Sequence, residues 1–171
     1  IATIPAVIVG FFVSSLDIFS NLFITSIGFG ITGLFLIIAS LDTKKRKQKE
    51  LNYLNSLYIG IAQIFSLFPG ISRSGSTIGA GILLGLDEKT AVKFSFLLSI
   101  PVVFGANILL IGNNTLPREF IWATLGSFIV GIIFLHLLYN YILTSKKNLR
   151  WFGVYALLLA MAIGVYVILR F

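Results

Sequence analysis

Residues 53–86 decide the fold, and they read YLNSLYIGIAQIFSLF, then PGISRSGST, then IGAGILLGL. The first arm, 53–68, is an apolar stretch of 16 residues, the loop 69–77 is polar, and the second arm, 78–86, has only nine residues. A helix of that length extends about 14 Å, roughly half of the ~30 Å hydrocarbon core of a bilayer. The second arm therefore cannot cross a membrane alone. We predict a re-entrant helical hairpin that returns to the face from which it entered.

The composition around the hairpin is that of a membrane protein. Hydrophobic residues make up 57% of the 171-residue chain, charged residues only 11%, and the mean hydropathy is +1.00. A soluble domain carries about 25% charged residues. We predict one all-α membrane domain over 1–171, a multi-span helical bundle. Its apolar segments are 1–13, which is short and indicates a helix truncated at its front, and then full spans at 22–41, 92–112, 120–143 and 151–169.

The net charge of +7 does not indicate nucleic-acid binding, because the excess lies in short loops between apolar spans. Cytoplasmic loops of membrane proteins carry the excess of Lys and Arg. With the basic loop 42–52 in the cytoplasm, a returning hairpin puts 87–89 inside, 113–119 outside and the basic residues of 146–150 inside. A single crossing at 53–86 would put the last cluster outside. The charge pattern therefore favours the hairpin and predicts an outward-facing C-terminus.

Small residues and the single histidine of the spans have a simple packing interpretation. The sequence GFGITG at 28–33 matches the dinucleotide-binding pattern G-x-G-x-x-G, but that pattern requires a preceding strand, and here it lies within a span. Glycines in membrane helices let neighbouring helices approach closely, so we predict a packing role. The same prediction covers the spacings Gly75/Gly79 and Gly81/Gly85. His136 is predicted to be buried and hydrogen-bonded within the bundle rather than catalytic.

The loop 69–77 carries groups that suit an anion. Gly70 and Gly75 let a ligand approach the backbone closely. Arg73 offers a planar fork for two phosphate oxygens, and the second arm begins here, so its N-terminal N–H groups point into the loop. Hydroxyl donors come from Ser72, Ser74, Ser76 and Thr77. We predict a phosphate site. The loop alone leaves open a substrate phosphate, a transported anion, a lipid headgroup or an ordinary polar turn.

The run FPGISRSGST at 68–77 resembles the P-G-x-S-R-S-G-x-T signature of the bacterial undecaprenyl-diphosphate phosphatases, also called the bacitracin-resistance protein family. Its surroundings are similar to that family as well, with Gln63 upstream, KFSFLL at 93–98, Ile100-Pro101, and IPAV at 4–7. The resemblance covers essentially the whole chain. It implies a fold of two inverted repeats, each with a re-entrant hairpin. This chain resembles the C-terminal two-thirds of such a protein, which includes the second half of the inverted-repeat fold.

What the resemblance implies is a multi-pass enzyme of the bacterial plasma (inner) membrane, with its active-site cleft facing outward. Such an enzyme hydrolyses a C55 isoprenyl diphosphate to the monophosphate carrier lipid for cell-wall synthesis. Ser72, Arg73 and Thr77 fall on the catalytic or substrate-binding positions of the signature. The expected phosphate-binding residues around them are Gly70, Ser74, Gly75 and Ser76, and Gln63 is expected to support them from behind.

The family's first repeat contributes a glutamate-rich motif, E/Q-x-x-x-E, and a histidine, and neither matches this sequence. The acids present are Asp17, Asp42, Glu50, Asp87, Glu88 and Glu119, all in loops or at span ends. The resemblance therefore implies that a divalent metal, Mg²⁺ or Ca²⁺, is held by the N-terminal repeat, with no metal ligand in this chain. We expect the 171 residues to be inactive by themselves.

Two other function classes remain as alternatives. A phosphate or prenyl-phosphate transporter or flippase also uses inverted repeats, and hairpins whose helix N-termini face an anion. A membrane scaffold without chemistry is the third class. The partners expected for the enzyme are a prenyl diphosphate lipid as substrate and membrane lipid. A homodimer is left open, and nucleic acid is not expected as a partner.

Overall fold

A computed structural model describes residues 1–13, 21–41, 50–111, 119–142 and 146–170. The described residues form helices and turns and contain no strand, which confirms the all-α prediction. In chain order the helices are α1 (Thr3–Val13), α2 (Leu22–Leu41), α3 (Tyr53–Ile64), α4 (Arg73–Leu83), α5 (Glu88–Ile111), α6 (Glu119–Leu137) and α7 (Lys146–Arg170). A 3-10 turn at Phe65–Leu67 extends α3, and a π-helical turn at Leu138–Ile142 extends α6.

Long apolar helices among the described residues support the prediction of a membrane protein. The helices long and apolar enough to cross a bilayer are Leu22–Leu41, Glu88–Ile108, Phe120–Asn140 and Lys147–Arg170. Large apolar side chains on their outer faces are exposed, as lipid-facing residues are; Phe104 of α5, for example, is 67% exposed. The apolar helix α1 is shorter than these four. The four predicted full spans are helical wherever the structure describes them, and their crossing of a membrane stays a prediction.

The glycines of the sequence 28–33 pack against other parts of the chain, as predicted. Helices α2 and α7 lie against each other along much of their length. A Cβ on Gly33 would lie 2.8 Å from the carbonyl oxygen of Gly153, and a Cβ on Gly153 would lie 2.9 Å from that of Gly33. Ser26 Oγ donates a hydrogen bond of 2.8 Å to the carbonyl of Ala160. Close backbone approach and polar contacts of this kind hold membrane helices together.

The hairpin is present as two contacting helices, α3 and α4, but the second arm begins earlier than predicted. Helix α4 starts at Arg73 rather than at residue 78, because Ser72 is an N-cap whose Oγ accepts the Gly75 N–H at 3.1 Å. The helix ends in a Schellman motif, in which Gly85 has φ +97° and Leu86 N–H bonds to the Gly81 carbonyl at 3.0 Å. Gly85 therefore ends the helix, and the packing role predicted for it stays a prediction.

Two later helices also begin before their predicted spans. Helix α5 starts at Glu88 rather than at residue 92, because Asp87 Oδ2 accepts the Thr90 N–H at 3.0 Å and caps the first turn. Helix α7 starts at Lys146 rather than at residue 151. Apolar runs mark the part of a helix that lipid covers, and the polar first turn is added by its cap. Pro101 lies inside α5, as expected.

The hairpin helices contribute to the apolar core together with α2, α5 and α7, and α6 lies outside this core. Buried apolar side chains from α2 to α5 and α7 include Leu36, Ala39, Ile59, Ile78, Ile82, Val92, Leu98 and Leu149. Residues 120–137 of α6 are exposed throughout, and α6 packs mainly against its own π-helical continuation. The prediction that His136 is buried is therefore wrong. The ring of His136 is exposed and lies 3.1 Å from Asn140 Nδ2 on the same helix.

Candidate functional site

The turn before α4 lies directly on the backbone of α2. Gly70 has φ +83°, a conformation that disfavours residues with a side chain. A Cβ on Gly70 would overlap the carbonyl oxygen of Thr25, and a Cβ on Gly28 would overlap the carbonyl oxygen of Pro69. The predicted role of Gly70 in permitting close approach is thus realised, although the backbone it approaches is that of α2. The glycines at both positions allow the turn to sit on the helix.

Thr32 of α2 bonds to the turn at two points. Its Oγ1 donates to the Gly70 carbonyl at 3.2 Å and accepts the Ser72 N–H at 2.9 Å. Thr32 is only 5% exposed. Sequence reasoning missed this residue, because it lies inside the glycine pattern that was interpreted as helix packing alone. A polar residue between small residues on an apolar helix is the signal that could have indicated it.

Ser72 and Ser74 are the hydroxyl residues at the open side of the α4 N-terminus. Ser72 Oγ accepts the Gly75 N–H and lies 3.4 Å from Ser74 Oγ. The Ser72 carbonyl accepts both the N–H and the Oγ–H of Ser76, each at 2.9 Å. Ser76 is buried and bonds back into the helix, whereas Ser74 is exposed. Of the predicted hydroxyl donors, these two serines at positions 72 and 74 are therefore the ones at the surface of the site.

Arg73 extends from α4 to α5. One terminal nitrogen of its guanidinium donates to the Leu98 carbonyl at 3.1 Å. Pro101 lacks an N–H, so the backbone hydrogen-bond ladder of α5 is interrupted one turn earlier, at Leu97, beside that carbonyl. A guanidinium has five N–H donors, and this single bond leaves donors for a ligand. Arg73 directly follows Ser72 in the chain, and its side chain extends from α4 towards α5.

Thr77 lies behind the site and joins α4 to α5. Its side chain is 2% exposed, and its Oγ1 lies 2.6 Å from Ser95 Oγ of α5. The same hydroxyl donates to the Arg73 carbonyl at 2.9 Å. Contact of Thr77 with a substrate stays a prediction. In this structure the hydroxyl links two helices directly beneath Arg73 and so supports the residue that the sequence assigned to the phosphate.

Gln63 is buried in α3 with one polar atom unsatisfied. The residue is 1% exposed, and its Oε1 has no hydrogen-bond partner among the described residues. Nearly all buried polar groups in proteins are hydrogen-bonded, and an exception calls for an unseen donor such as water or a ligand. Its burial agrees with a supporting place behind the loop, and the role itself stays a prediction.

A small cavity of about 100 Å³ opens at the start of α4. Its polar edge is formed by Ser72, Ser74 and Gly75, and its remaining lining is apolar: Leu36, Ile78, Phe96, Leu138, Leu149 and Phe152. Phe96 also lines a groove of about 530 Å³ beside α5, together with Lys93, Leu135 and Tyr139. A larger cavity of about 900 Å³ lies between the start of α2 and the end of α7, away from the loop donors. The small cavity is therefore the candidate site.

The donors of this cavity suit an anion and do not suit a cation. Divalent Mg²⁺ and Ca²⁺ need carboxylate or carbonyl oxygens, whereas this cavity presents the hydroxyls of Ser72 and Ser74 at a helix N-terminus. Across the described part of the chain no group of three or more His, Asp and Glu side chains could hold a metal. Asp17 and Asp42 lie outside the described residues. A divalent metal in the complete protein stays a prediction.

Comparison with known proteins points to one family. A family model described as "Bacitracin resistance protein BacA" matches residues 1–162. A protein of Methanococcus vannielii named undecaprenyl-diphosphatase is 38% identical over 98% of this chain and 68% of its own length. Proteins of the same name from Thermosipho africanus and Caldicellulosiruptor bescii are 38% and 34% identical, over 94% and 99% of this chain and 64% and 67% of theirs. The chain spans about two thirds of the length of these relatives.

Proposed function

This chain belongs to the bacitracin resistance protein BacA family, and we propose that the protein containing it is an undecaprenyl-diphosphatase. The enzyme hydrolyses the C55 isoprenyl diphosphate to the lipid monophosphate used in cell-wall synthesis. Relatives that match most of this chain carry that name. The observation that carries the proposal is the juxtaposition, in one cavity, of the Ser72/Ser74 edge at a helix N-terminus with apolar walls, because the substrate joins a polyanion to a hydrocarbon chain.

In the proposed mechanism, water attacks the terminal phosphorus of the diphosphate. The bond from that phosphorus to the bridging oxygen breaks, the bridging oxygen stays on the lipid monophosphate, and inorganic phosphate leaves. Charge develops on the oxygens of the transferred group, where fixed donors stabilise it. The N-terminus of α4, the hydroxyls of Ser72 and Ser74 and the guanidinium of Arg73 supply those donors. Ser72 is not assigned as a nucleophile, since neither of the groups at its Oγ, the Ser74 hydroxyl and the Gly75 N–H, is a base.

The apolar side of the cavity supports a place for the prenyl chain. Phe96 lines both this cavity and the larger groove beside α5 and α6. We propose that a chain anchored by its diphosphate at Ser72 passes Phe96 towards this groove.

We further propose that the hairpin α3–α4 is re-entrant in the plasma membrane and that the cleft opens to the outer face. Cysteines at Asn114 and Lys47, both outside the described residues, would report the two sides: an impermeant reagent labels the first from outside but not the second.

The test is phosphate release by the purified full-length protein from a C55 prenyl diphosphate. Arg73→Ala is expected to lower turnover by about 100-fold or more, the loss typical of a donor to the developing charge. Arg150→Ala, at an exposed arginine of α7, is the matched control and keeps wild-type turnover. A wild-type protein that moves prenyl phosphate across vesicles without releasing phosphate would contradict the proposal and favour the transporter.

A further inference from the structure

We propose that Thr32 is a positioning residue, whose hydroxyl holds the turn before α4 in the shape that binds phosphate. The expected effect on enzyme activity rests on the proposed function, whereas the hydrogen-bond geometry around Thr32 does not. Nothing in the signature of the loop includes Thr32, which lies 38 and 40 positions from its two partners in the chain. Its role arises only where α2 crosses the turn.

The hydroxyl satisfies two backbone groups that have no helical partner. Thr32 Oγ1 donates to the Gly70 carbonyl and accepts the Ser72 N–H, so its donor and one acceptor position are both used. The side chain is 5% exposed, and unpaired backbone groups at that depth are costly. One hydroxyl therefore closes the turn across three residues and sets the backbone of Ser72.

The backbone conformation of Ser72 matters because Ser72 is the N-cap of α4. Its ψ of 121° is extended, and its Oγ accepts the Gly75 N–H. The direction of the first N–H groups of α4 and the place of the Ser72 hydroxyl at the cavity edge both follow from this geometry. Thr32 thus acts on the phosphate site through Ser72, without lining the cavity itself.

The hydroxyl residues of α6 show the ordinary arrangement, in which the side chain bonds within its own helix. Thr124 Oγ1 donates to Phe120 O at 2.7 Å, and Ser127 Oγ donates to Ala123 O at 2.8 Å. This is the ordinary way in which a helix accommodates a threonine or serine. Thr32 instead bonds a separate segment at two points. The difference marks Thr32 as part of the site's support and makes Thr124 its matched control.

The experiment compares Thr32→Val, Thr32→Ser and Thr124→Val in the full-length protein. For Thr32→Val, which keeps the shape and removes both hydrogen bonds, we expect kcat/KM on prenyl diphosphate to fall about 10- to 100-fold, with KM raised. Loss of folded protein alone would lower apparent kcat and leave KM unchanged. Thr32→Ser, which keeps the hydroxyl, stays within about threefold of wild type, and Thr124→Val is unchanged.

Hydrogen exchange supplies a readout that needs no substrate. The Ser72 amide is expected to be protected in the wild type and in Thr32→Ser, and to exchange faster in Thr32→Val. An unprotected Ser72 amide in the wild type would overturn the inference even if Thr32→Val fails to fold, and so would unchanged kinetics in a folded Thr32→Val. If the wild type releases no phosphate while the exchange pattern holds, the proposed function fails and the positioning geometry stands.

Discussion

The four hydroxyl side chains of the loop differ in whether their neighbours leave them free to contact a ligand. Ser72 and Ser74 lie at the cavity, whereas Ser76 bonds the Ser72 carbonyl and Thr77 bonds Ser95 of α5. All four have the same chemistry in the sequence. Helical periodicity alone does not separate them, because it places Ser72 with Ser76 and Ser74 with Thr77. Packing separates them, since Thr77 meets Ser95 of α5 and Ser76 is buried.

The arginine of the site provides the sharpest residue-scale prediction. Arg73→Lys keeps the positive charge but loses the planar fork that binds two oxygens at once. We expect its turnover on prenyl diphosphate to be nearly as low as that of Arg73→Ala, about 100-fold below wild type. Steady-state phosphate release by the full-length protein measures this. Near-wild-type turnover in the lysine variant would mean that a point charge suffices.

Gly70 should be intolerant of even the smallest side chain. Gly70→Ala places a Cβ at φ +83° and against the carbonyl of Thr25, and the positive φ alone costs about 1–2 kcal/mol. We expect a lower unfolding temperature for the purified full-length protein. Gly105→Ala is the matched control, because its Cβ meets nothing within 4 Å and alanine favours a helix by about 0.5–1 kcal/mol. Equal unfolding temperatures for the two variants would contradict the close contact of the turn with α2.

At the scale of elements, caps decide where the helices of this chain begin and end. Ser72 starts α4, Asp87 starts α5, and Gly85 ends α4. The apolar runs in the sequence marked only the apolar parts of these helices. The first turn of α4 was therefore assigned to the loop, although its N–H groups are the helix N-terminus on which the predicted phosphate site depends.

The cap of α5 predicts a pH dependence of stability. Burial raises the pKa of Asp87, but hydrogen bonds from the side chain and backbone of Thr90 lower it by more, so the pKa lies below its ordinary 3.8. A lowered folded-state pKa means that the carboxylate stabilises the fold above about pH 4 and that this contribution is lost as the pH falls through the folded-state value. Asp87→Ala should cost about 0.5–2 kcal/mol at neutral pH.

Unfolding of Asp87→Ala and wild type, followed from pH 7 downwards, measures this effect. The two proteins should differ at pH 7 and converge in acid. Asp87→Asn, which retains an acceptor for the Thr90 N–H, should stay near wild type at neutral pH. A stability gap that grows in acid would contradict the assignment of the cap.

At the scale of the whole molecule, the described chain forms one packed body around α2, with α6 at its margin. Helix α2 contacts α7 on one side and the hairpin on the other. Helix α6 is exposed throughout 120–137, and its glycines Gly126 and Gly131 meet nothing within 4 Å. The chain also spans about two thirds of its relatives' length.

We expect the complete protein to need a divalent metal and the 171-residue chain to bind without turnover. The donors around Ser72 and Arg73 are expected to hold an anion, and equal binding of ground state and transition state gives affinity without rate. Phosphate release should require Mg²⁺ or Ca²⁺ in the full-length protein and be abolished by a chelator. Metal-dependent release by the 171 residues alone would assign the metal to their own side chains.

The sequence by itself determined the all-helical class, the long apolar helices, the pair of helices around the loop and the donor groups that the loop carries, because hydropathy, length and residue type act locally along the chain. Its signature was specific enough to indicate the family. Only the tertiary structure decided that Thr77 links α4 to Ser95, that Arg73 reaches Leu98, that His136 is exposed, and that Thr32 and Gly28 seat the turn. These facts depend on which helices cross, and contacts between segments some 40 residues apart leave no periodic pattern in the sequence of either segment.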